Sequence, residues 1–382
     1  VITTGLYIHF PFCLKKCLYC DFNSAASSTL AREEYPELLV REMALRQAGL
    51  TQPVSAPTLY LGGGTPSLMS PAEVARLIDA AAARFGLTAD AEITLEANPG
   101  TLSFEKLAGY RSAGVNRISL GIQSFEDRFL EMLGRVHSRH EAISAFEACR
   151  KAGFDNLSID LMHSLPGQSP AQWRRALADG IALAPEHLSA YALSVEEETP
   201  FEALVESGNL TLPGEEDAAA MFEATAELLE QAGYRHYEIS NFARPGRESR
   251  HNGAYWTRQS YLAFGAGAHS FWNDNGLGDR WHNAEGASEY REAILSGILP
   301  EREREVLDRE QAVSEAFFLG LRVLAGLDLE QLERTYGASA LASRRDVVDR
   351  LVAAGELICE GTRIRLAPQA IIVANGIFAQ FL

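Results

Sequence analysis

The segment Cys13-Leu14-Lys15-Lys16-Cys17-Leu18-Tyr19-Cys20 carries three of the five cysteines in the chain, spaced by three residues and then by two. Three thiolates on one tight loop can hold an iron–sulfur cluster and leave one iron without a protein ligand. Chemistry would take place at that open iron. Two other readings stand beside it. A zinc site normally wants four ligands, often from paired Cys-x2-Cys. The third reading is chance clustering. Neither Cys149 nor Cys359 is near in sequence, so a fourth cysteine would have to arrive through the fold. The spacing favours the cluster.

The elements around this loop repeat a strand-then-helix unit. Strand-like runs fall at 6–10, 58–61, 92–96, 116–121, 156–161 and 187–193, with helical stretches between them. Residues 32–48 place Tyr35, Leu38, Leu39 and Met43 at helical spacing. Ser70-Pro71-Ala72-Glu73 reads as a helix start, with an N-cap, a proline at the first position and a capping-box glutamate. Ser169-Pro170 opens another helix. In 139–152, Ala142, Ile143, Phe146 and Cys149 form one apolar stripe, which makes Cys149 a core residue. This alternation predicts a parallel α/β sheet with right-handed crossovers. Six units are two short of a closed eight-fold barrel, so the expectation is an open (β/α)6 partial barrel rather than a flat, doubly wound sheet.

Ligands in such sheets sit at the carboxyl ends of the strands. The cysteine loop follows the first strand, and Gly62-Gly63-Gly64-Thr65-Pro66-Ser67 follows the second. Glu96 and Asn98 close the third, Gln123 follows the fourth, and Asp160 ends the fifth. Tyr191 and Glu196 flank the end of the sixth. The glycine-rich and polar features therefore share one rim. The glycine run could expose bare backbone N–H groups to a ligand, or simply make a tight turn. Glu96 could accept hydrogen bonds from hydroxyl or amino groups, or pair with a neighbouring arginine. Gln123 and Asp160 could do similar polar work, and Arg135 could grip a carboxylate as a fork. Singly each has an ordinary structural reading; together on one rim they point to a site.

The chain has 382 residues, enough for two or three domains, and is 47% hydrophobic, enough for a sizeable core. Its net charge of −17 opposes binding nucleic acid through the backbone and docking on an anionic membrane surface. Five unevenly spaced cysteines do not form a disulfide framework, and cluster thiolates need a reducing compartment; the expectation is cytoplasmic. No signal peptide is evident, because a strand-like run begins almost at once. No apolar run approaches the roughly 18 residues of a membrane span.

Beyond about residue 195 the pattern changes. A helix over 215–232 leads to 237–241, and an aromatic, glycine-rich, histidine-bearing segment covers 250–282. A proline and a charge run at 299–304 suggest a boundary. Helices near 309–324, 329–336 and 343–354 then precede a hairpin, 356–360 and 363–366, turned by Gly361-Thr362. The expected organisation is a partial barrel over 1–195, an α/β extension over 196–300, and a winged-helix-like domain over 301–382. Given the acidic balance, that last unit would pack or act as a lid rather than bind DNA.

The cysteine spacing, with Tyr19 before the last cysteine, resembles the signature of radical S-adenosylmethionine (SAM) proteins. The resemblance implies that Cys13, Cys17 and Cys20 hold a [4Fe–4S] cluster. SAM would bind the open iron and be cleaved by an electron to methionine and a 5′-deoxyadenosyl radical. The match narrows further. Leu6-Tyr7-Ile8-His9-Phe10-Pro11-Phe12-Cys13, the glycine run, Leu95-Glu96-Ala97-Asn98-Pro99, Gly121-Ile122-Gln123-Ser124-Phe125, Leu133-Gly134-Arg135 and Leu165-Pro166-Gly167-Gln168 resemble the oxygen-independent coproporphyrinogen III oxidase family. By that resemblance Tyr7, Tyr19, Gly63, Gly64, Thr65, Glu96, Gln123, Arg135 and Asp160 would contact the cluster or SAM. Met162-His163-Ser164 departs from the family, and His163 reads as a rim residue.

The family contains two function classes, the oxidase, which decarboxylates propionates in heme biosynthesis, and HemW-type heme chaperones. Oxidases carry a fourth cysteine two residues past the third; here that position is Phe22. They also carry a longer N-terminal extension. His251-Asn252-Gly253-Ala254-Tyr255-Trp256 is similar to the HNxxYW motif of the chaperone branch. Read from its type and neighbours, His251 is a polar core or helix-cap residue packed by two aromatics. The resemblance makes it a candidate axial ligand to heme, with Tyr255 and Trp256 against the macrocycle. His269 is the second candidate and His282 the third. The expectation is a chaperone that binds heme, a [4Fe–4S] cluster and SAM and delivers heme to acceptor proteins. Its partners would be those acceptors, some of them membrane proteins contacted peripherally, and an electron donor.

Overall fold

The computed structural model describes residues 1–26 and 29–382. One twelve-stranded sheet organises most of the chain. Its strands are β1 (Ile2–Phe10), β2 (Val54–Gly63), β3 (Leu87–Ala97), β4 (Arg117–Gln123), β5 (Leu157–His163), β6 (His187–Ala192), β7 (Arg235–Glu238), β8 (Asn241–Ala243), β9 (Ser260–Phe264), β10 (His269–Trp272), β11 (Asp279–Asn283) and β12 (Glu301–Val306). The spatial order is β12-β11-β10-β9-β1-β2-β3-β4-β5-β6-β8-β7. β1 to β6 run parallel, neighbour to neighbour. These are the six expected strands.

The extension completes this sheet rather than forming a separate layer. β9 adds a seventh parallel strand beside β1, pairing Gly5 with Tyr261 and Tyr7 with Ala263. β10, β11 and β12 continue from it in antiparallel fashion. At the other edge β8 and β7 add antiparallel strands to β6. The 299–304 charge run, expected near a boundary, lies largely in edge strand β12, Glu301–Val306. Its alternating charges, Glu301-Arg302-Glu303-Arg304-Glu305, keep the edge solvated and discourage pairing with another chain.

Helices cover the parallel strands. α1 (Thr29–Ala48), α2 (Pro71–Phe85), α3 (Arg139–Lys151), α4 (Pro170–Ala182) and α5 (Glu215–Gln231) surround the main core. The capping box at Ser70 and Glu73 forms, and Ser169 caps α4 with Gln172. Cys149 is fully buried in α3, as its stripe predicted. Along β4 the side chains alternate. Ile118, Leu120 and Ile122 are wholly buried in the core, while Arg117, Ser119, Gly121 and Gln123 face an interior cavity. Leu87–Ala97 and its neighbours present Glu96 in the same way.

A second apolar cluster forms around α7 (Arg309–Gly320), α8 (Leu329–Tyr336), α9 (Ala338–Ala353) and a small three-stranded sheet. Those strands are β13 (Leu327–Asp328), β14 (Leu357–Glu360) and β15 (Arg363–Leu366), with β15 central. Three helices and this sheet match the expected winged-helix-like pattern. The short helix α6 (Arg250–Trp256) lies between the barrel and this unit. On one side Glu92 of β3 accepts from the backbone N–H groups of Arg250 and His251. On the other, the Arg322 guanidinium lies over the Trp256 ring at 4.5 Å.

Candidate functional site

Two adjoining cavities open at the carboxyl ends of the parallel strands. The smaller, about 470 Å³, is lined by Cys13, Cys17 and Cys20 together with residues from β2 to β6. The cysteine loop is held there by its backbone. The N–H of Leu18 donates to the Leu133 carbonyl at 3.1 Å, and the Leu18 carbonyl accepts from Phe201. The Thr65 hydroxyl lies 3.5 Å from the Cys13 sulfur, and an Arg135 nitrogen lies 3.6 Å from the Cys17 sulfur. Both are donors placed to support thiolate charge. Among the described residues no three His, Cys, Asp or Glu side chains close on a single metal ion. The three thiols thus share a cavity without converging on one point.

The glycine run does two jobs. Gly63 has φ +105° and its N–H donates to Glu96 at 3.1 Å. Gly64 passes so close to the β1 end that a Cβ there would meet the Phe10 and Phe12 backbone at 2.8–2.9 Å. Glycine is needed for both the turn and the approach.

Glu96 accepts from the Tyr60 hydroxyl at 2.7 Å as well as from Gly63. No arginine pairs with it among the described ion pairs, so the simple salt-bridge reading fails. Burial pushes its carboxyl up to about 7, and nearby Asp160 adds to the rise. Asp160 is also raised by burial, although Ser119 and Ser189 hydrogen bonds oppose this. Gln123 has φ +68°, a left-handed conformation rare for a non-glycine residue, at an irregularity in the β4–β5 register. Its carbonyl oxygen accepts from the Tyr191 hydroxyl at 2.8 Å. Such strain at a strand end marks functional sites. Arg135 donates to the Gly121 carbonyl at 2.5 Å, while its buried Nε has no partner. Tyr19 lines the same cavity.

Three predicted residues lie elsewhere. Tyr7 lines the larger cavity, with its hydroxyl 3.0 Å from Nδ1 of His9. His163, expected on the rim, is buried against Trp173, and burial pulls it down to about 4. His251 is 1% exposed and faces neither cavity. Its Nδ1 is 2.9 Å from the Thr58 hydroxyl and its Nε2 is 2.8 Å from the Tyr255 hydroxyl. It stacks on Tyr60 at 5.1 Å. Burial, with Arg117 nearby, pushes it down to about 3 and keeps it neutral. In this geometry His251, expected from the motif as an axial heme ligand, is set in the barrel wall away from the larger cavity. Both ring nitrogens are engaged, so the residue packs the barrel wall and orients Tyr255.

Sequence reasoning missed Arg117. This side chain is 2% exposed, lines the smaller cavity below Glu96 and Asp160, and has an unpartnered Nε. Its period-2 relation to Ser119, Gly121 and Gln123 was the signal that could have found it.

The larger cavity, about 960 Å³, is lined by Tyr255, Trp256, Tyr261, Phe271, Phe318 and Phe22, with His9 and His269. The two cavities share Lys16, Asp21, Phe22, Ser24, Gly63 and Glu96 as a common wall. Phe22, at the position where oxidases carry a cysteine, is 60% exposed and stands at that junction.

Residues 7–179 match the radical SAM superfamily, and residues 307–373 match the HemN C-terminal domain. The heme chaperone HemW of Bacillus subtilis is 37% identical over 98% of both chains. The chain belongs to the HemW family of radical SAM proteins. Within that family, the Escherichia coli heme chaperone HemW is 42% identical over 69% of each chain. The mitochondrial radical S-adenosyl methionine domain-containing protein 1 of Bos taurus is 35% identical over 99% of this chain and 87% of its own. Among solved structures, coproporphyrinogen III oxidase (HemN) from Escherichia coli superimposes with a TM-score of 0.84. It covers 100% of this chain and 90% of its own at 22% identity, a likeness of fold.

Proposed function

We propose that the protein is a heme carrier that binds heme in the larger cavity and passes it to acceptor proteins, with a [4Fe–4S] cluster and SAM in the smaller one. The observation that carries this reading is the junction of the two cavities, which share six wall residues. The larger cavity, at about 960 Å³, is at the upper end of the ~300–1,000 Å³ usual for small-molecule sites. Its aromatic wall suits a flat, apolar macrocycle, and Tyr255 and Trp256 of the HNxxYW motif form part of it. Relatives at 34–42% identity carry the name heme chaperone.

In the smaller cavity Cys13, Cys17 and Cys20 would hold the cluster. Tyr19, Gly63, Gly64, Thr65, Glu96, Gln123, Asp160 and Arg135 would surround SAM, and Tyr7 would approach from the other cavity. Arg135 has a buried, unpartnered Nε to offer a carboxylate, and Glu96 and Asp160 can accept from hydroxyl or amino groups. When bound, the reduced cluster supplies one electron to SAM. The chain's own residues position the cofactors and shield them from solvent. An electron donor is therefore a partner. The barrel (1–195) carries the cofactors, the extension carries the aromatic wall, and the C-terminal unit beyond β12 closes over it. The thiolates need a reducing compartment, which supports a cytoplasmic location, where the protein would meet membrane-bound acceptors from the side. Among the described residues no helix is long and apolar enough to cross a membrane.

The test is direct. Cluster-reconstituted protein should take up heme and release it to an acceptor. It should not convert coproporphyrinogen III anaerobically with SAM and a reductant. Robust turnover of that substrate would overturn the carrier reading.

A further inference from the structure

We propose that His269 supplies the axial ligand to the heme iron, with His282 stacked behind it to fix the ring; this rests on the heme reading above. The nine histidines of the chain separate cleanly by geometry. Among the described residues, His9 and His269 are the histidines that line the larger cavity. His9 has both ring nitrogens engaged, Nδ1 with the Tyr7 hydroxyl at 3.0 Å and Nε2 with the Asn23 carbonyl at 2.8 Å. His251 is engaged at both nitrogens and turned away from the cavity. His269 makes no side-chain hydrogen bond among those of the described residues, so either nitrogen is free to meet a metal.

The backbone presents His269 in a form that suits this role. It is the first residue of β10 and stands exposed at the cavity mouth. The turn before it, Gly265-Ala266-Gly267-Ala268, has φ +110° at Gly265 and +68° at Gly267. A Cβ on Gly265 would come 2.5 Å from the His9 carbonyl oxygen, and one on Gly267 would collide with the Asn23 amide. Asn23, three residues past the last cysteine, donates from its amide to the carbonyls of Ala266 at 3.3 Å and Glu285 at 3.1 Å. The turn is thus clamped to the cysteine loop. Gly267 and Ala268, which also line the cavity, leave no bulk beside the imidazole that would keep a flat ring away.

His282 is the cross-strand partner of His269 in the β10–β11 register. The two rings lie 5.1 Å apart at 22°, and the His282 Nδ1–H donates to the Asn283 carbonyl at 3.0 Å. A fixed ring stacked on the ligand limits its rotation, much as outer-shell contacts orient metal-bound histidines. The competing phenols are poor ligands. Tyr255 is bonded to His251, and burial pushes Tyr261 up to about 12.

The experiment titrates hemin, and separately metal-free protoporphyrin IX, into cluster-reconstituted full-length protein and its His269→Ala variant. Absorption and electron paramagnetic resonance spectra report the iron ligand. The wild type should show imidazole-ligated heme. In the variant that signature should vanish, hemin affinity should fall by about tenfold or more, and added imidazole should restore the spectrum. Protoporphyrin IX, which has no iron, should bind both proteins alike, which shows that the cavity is intact. His251→Ala should keep the imidazole signature. An unchanged heme spectrum and affinity in His269→Ala, or loss of the signature only in His251→Ala, overturns the assignment. Failure of the wild type to bind either tetrapyrrole would instead overturn the heme reading on which it rests.

Discussion

Replacing Glu96 with Gln should stabilise the protein at alkaline pH while weakening its hold on SAM. Glu96 sits between two cavities with its carboxyl raised from 4.5 to about 7, mainly by burial. The folded state therefore holds the proton more tightly than the unfolded chain does. Its stabilising effect is complete below the unfolded value and is lost as pH rises through the folded one. The difference between 4.5 and about 7 corresponds to about 3 kcal/mol at full weight. Glu96 is partly open to the cavities, so solvent reduces this cost. Tyr60 and Gly63 donate to different carboxylate oxygens of Glu96, and in Gln one of these is an NH2 donor that cannot accept, so one bond is lost and takes back about 1 kcal/mol. The expected net gain is about 1–2 kcal/mol near pH 8.5, falling to zero or a small loss near pH 5.5. Urea unfolding of cluster-loaded wild type and Glu96→Gln at both pH values measures it, alongside SAM affinity by calorimetry. Equal destabilisation by Glu96→Gln at both pH values would refute the argument that an ionised, buried Glu96 is costly.

Replacing Cys13, Cys17 and Cys20 together with Ala should abolish iron and sulfide after reconstitution, by metal analysis; bound zinc in the wild type, lost in the variant, would replace the cluster with a zinc site. Tyr255→Phe strips the fully buried His251 of its Nε2 partner, so it should cost about 1–2 kcal/mol by denaturant unfolding and weaken protoporphyrin IX binding. A neutral result in both assays would remove His251–Tyr255 as a support of the cavity wall.

Much of the site was legible because it is written in local patterns. The cysteine spacing, the glycine run, and the polar residues that end successive strands are each contained within a few residues. A parallel α/β alternation then places them on one rim whatever the details of packing. Glu96, Gln123, Asp160 and Arg135 line one cavity for that reason. Arg117 was hidden because it starts its strand, and only the inward alternation along β4 carries it under the rim.

That the charge run at 299–304 forms an edge strand was not legible, because edge strands and linkers share a polar composition. Composition cannot say whether such a run pairs with a neighbour; here its partner, β11, also arrives from outside the six-strand repeat. Histidine roles were equally out of reach. His251 meets Thr58 across 193 residues of sequence, and the Arg135–Cys17 contact spans 118. A motif shows that His251 and Tyr255 share one helical face, but not whether that face looks into a cavity or onto a barrel wall.

The sequence by itself determined which chemical groups are present and which strand ends bear them, because spacing along a strand or helix fixes direction over short distances. The tertiary structure decided which groups are free. Folding engages both His251 nitrogens, with Thr58 and Tyr255, while His269 makes no side-chain hydrogen bond among the described residues, and only folding brings Phe22 and Glu96 to the wall between two cavities.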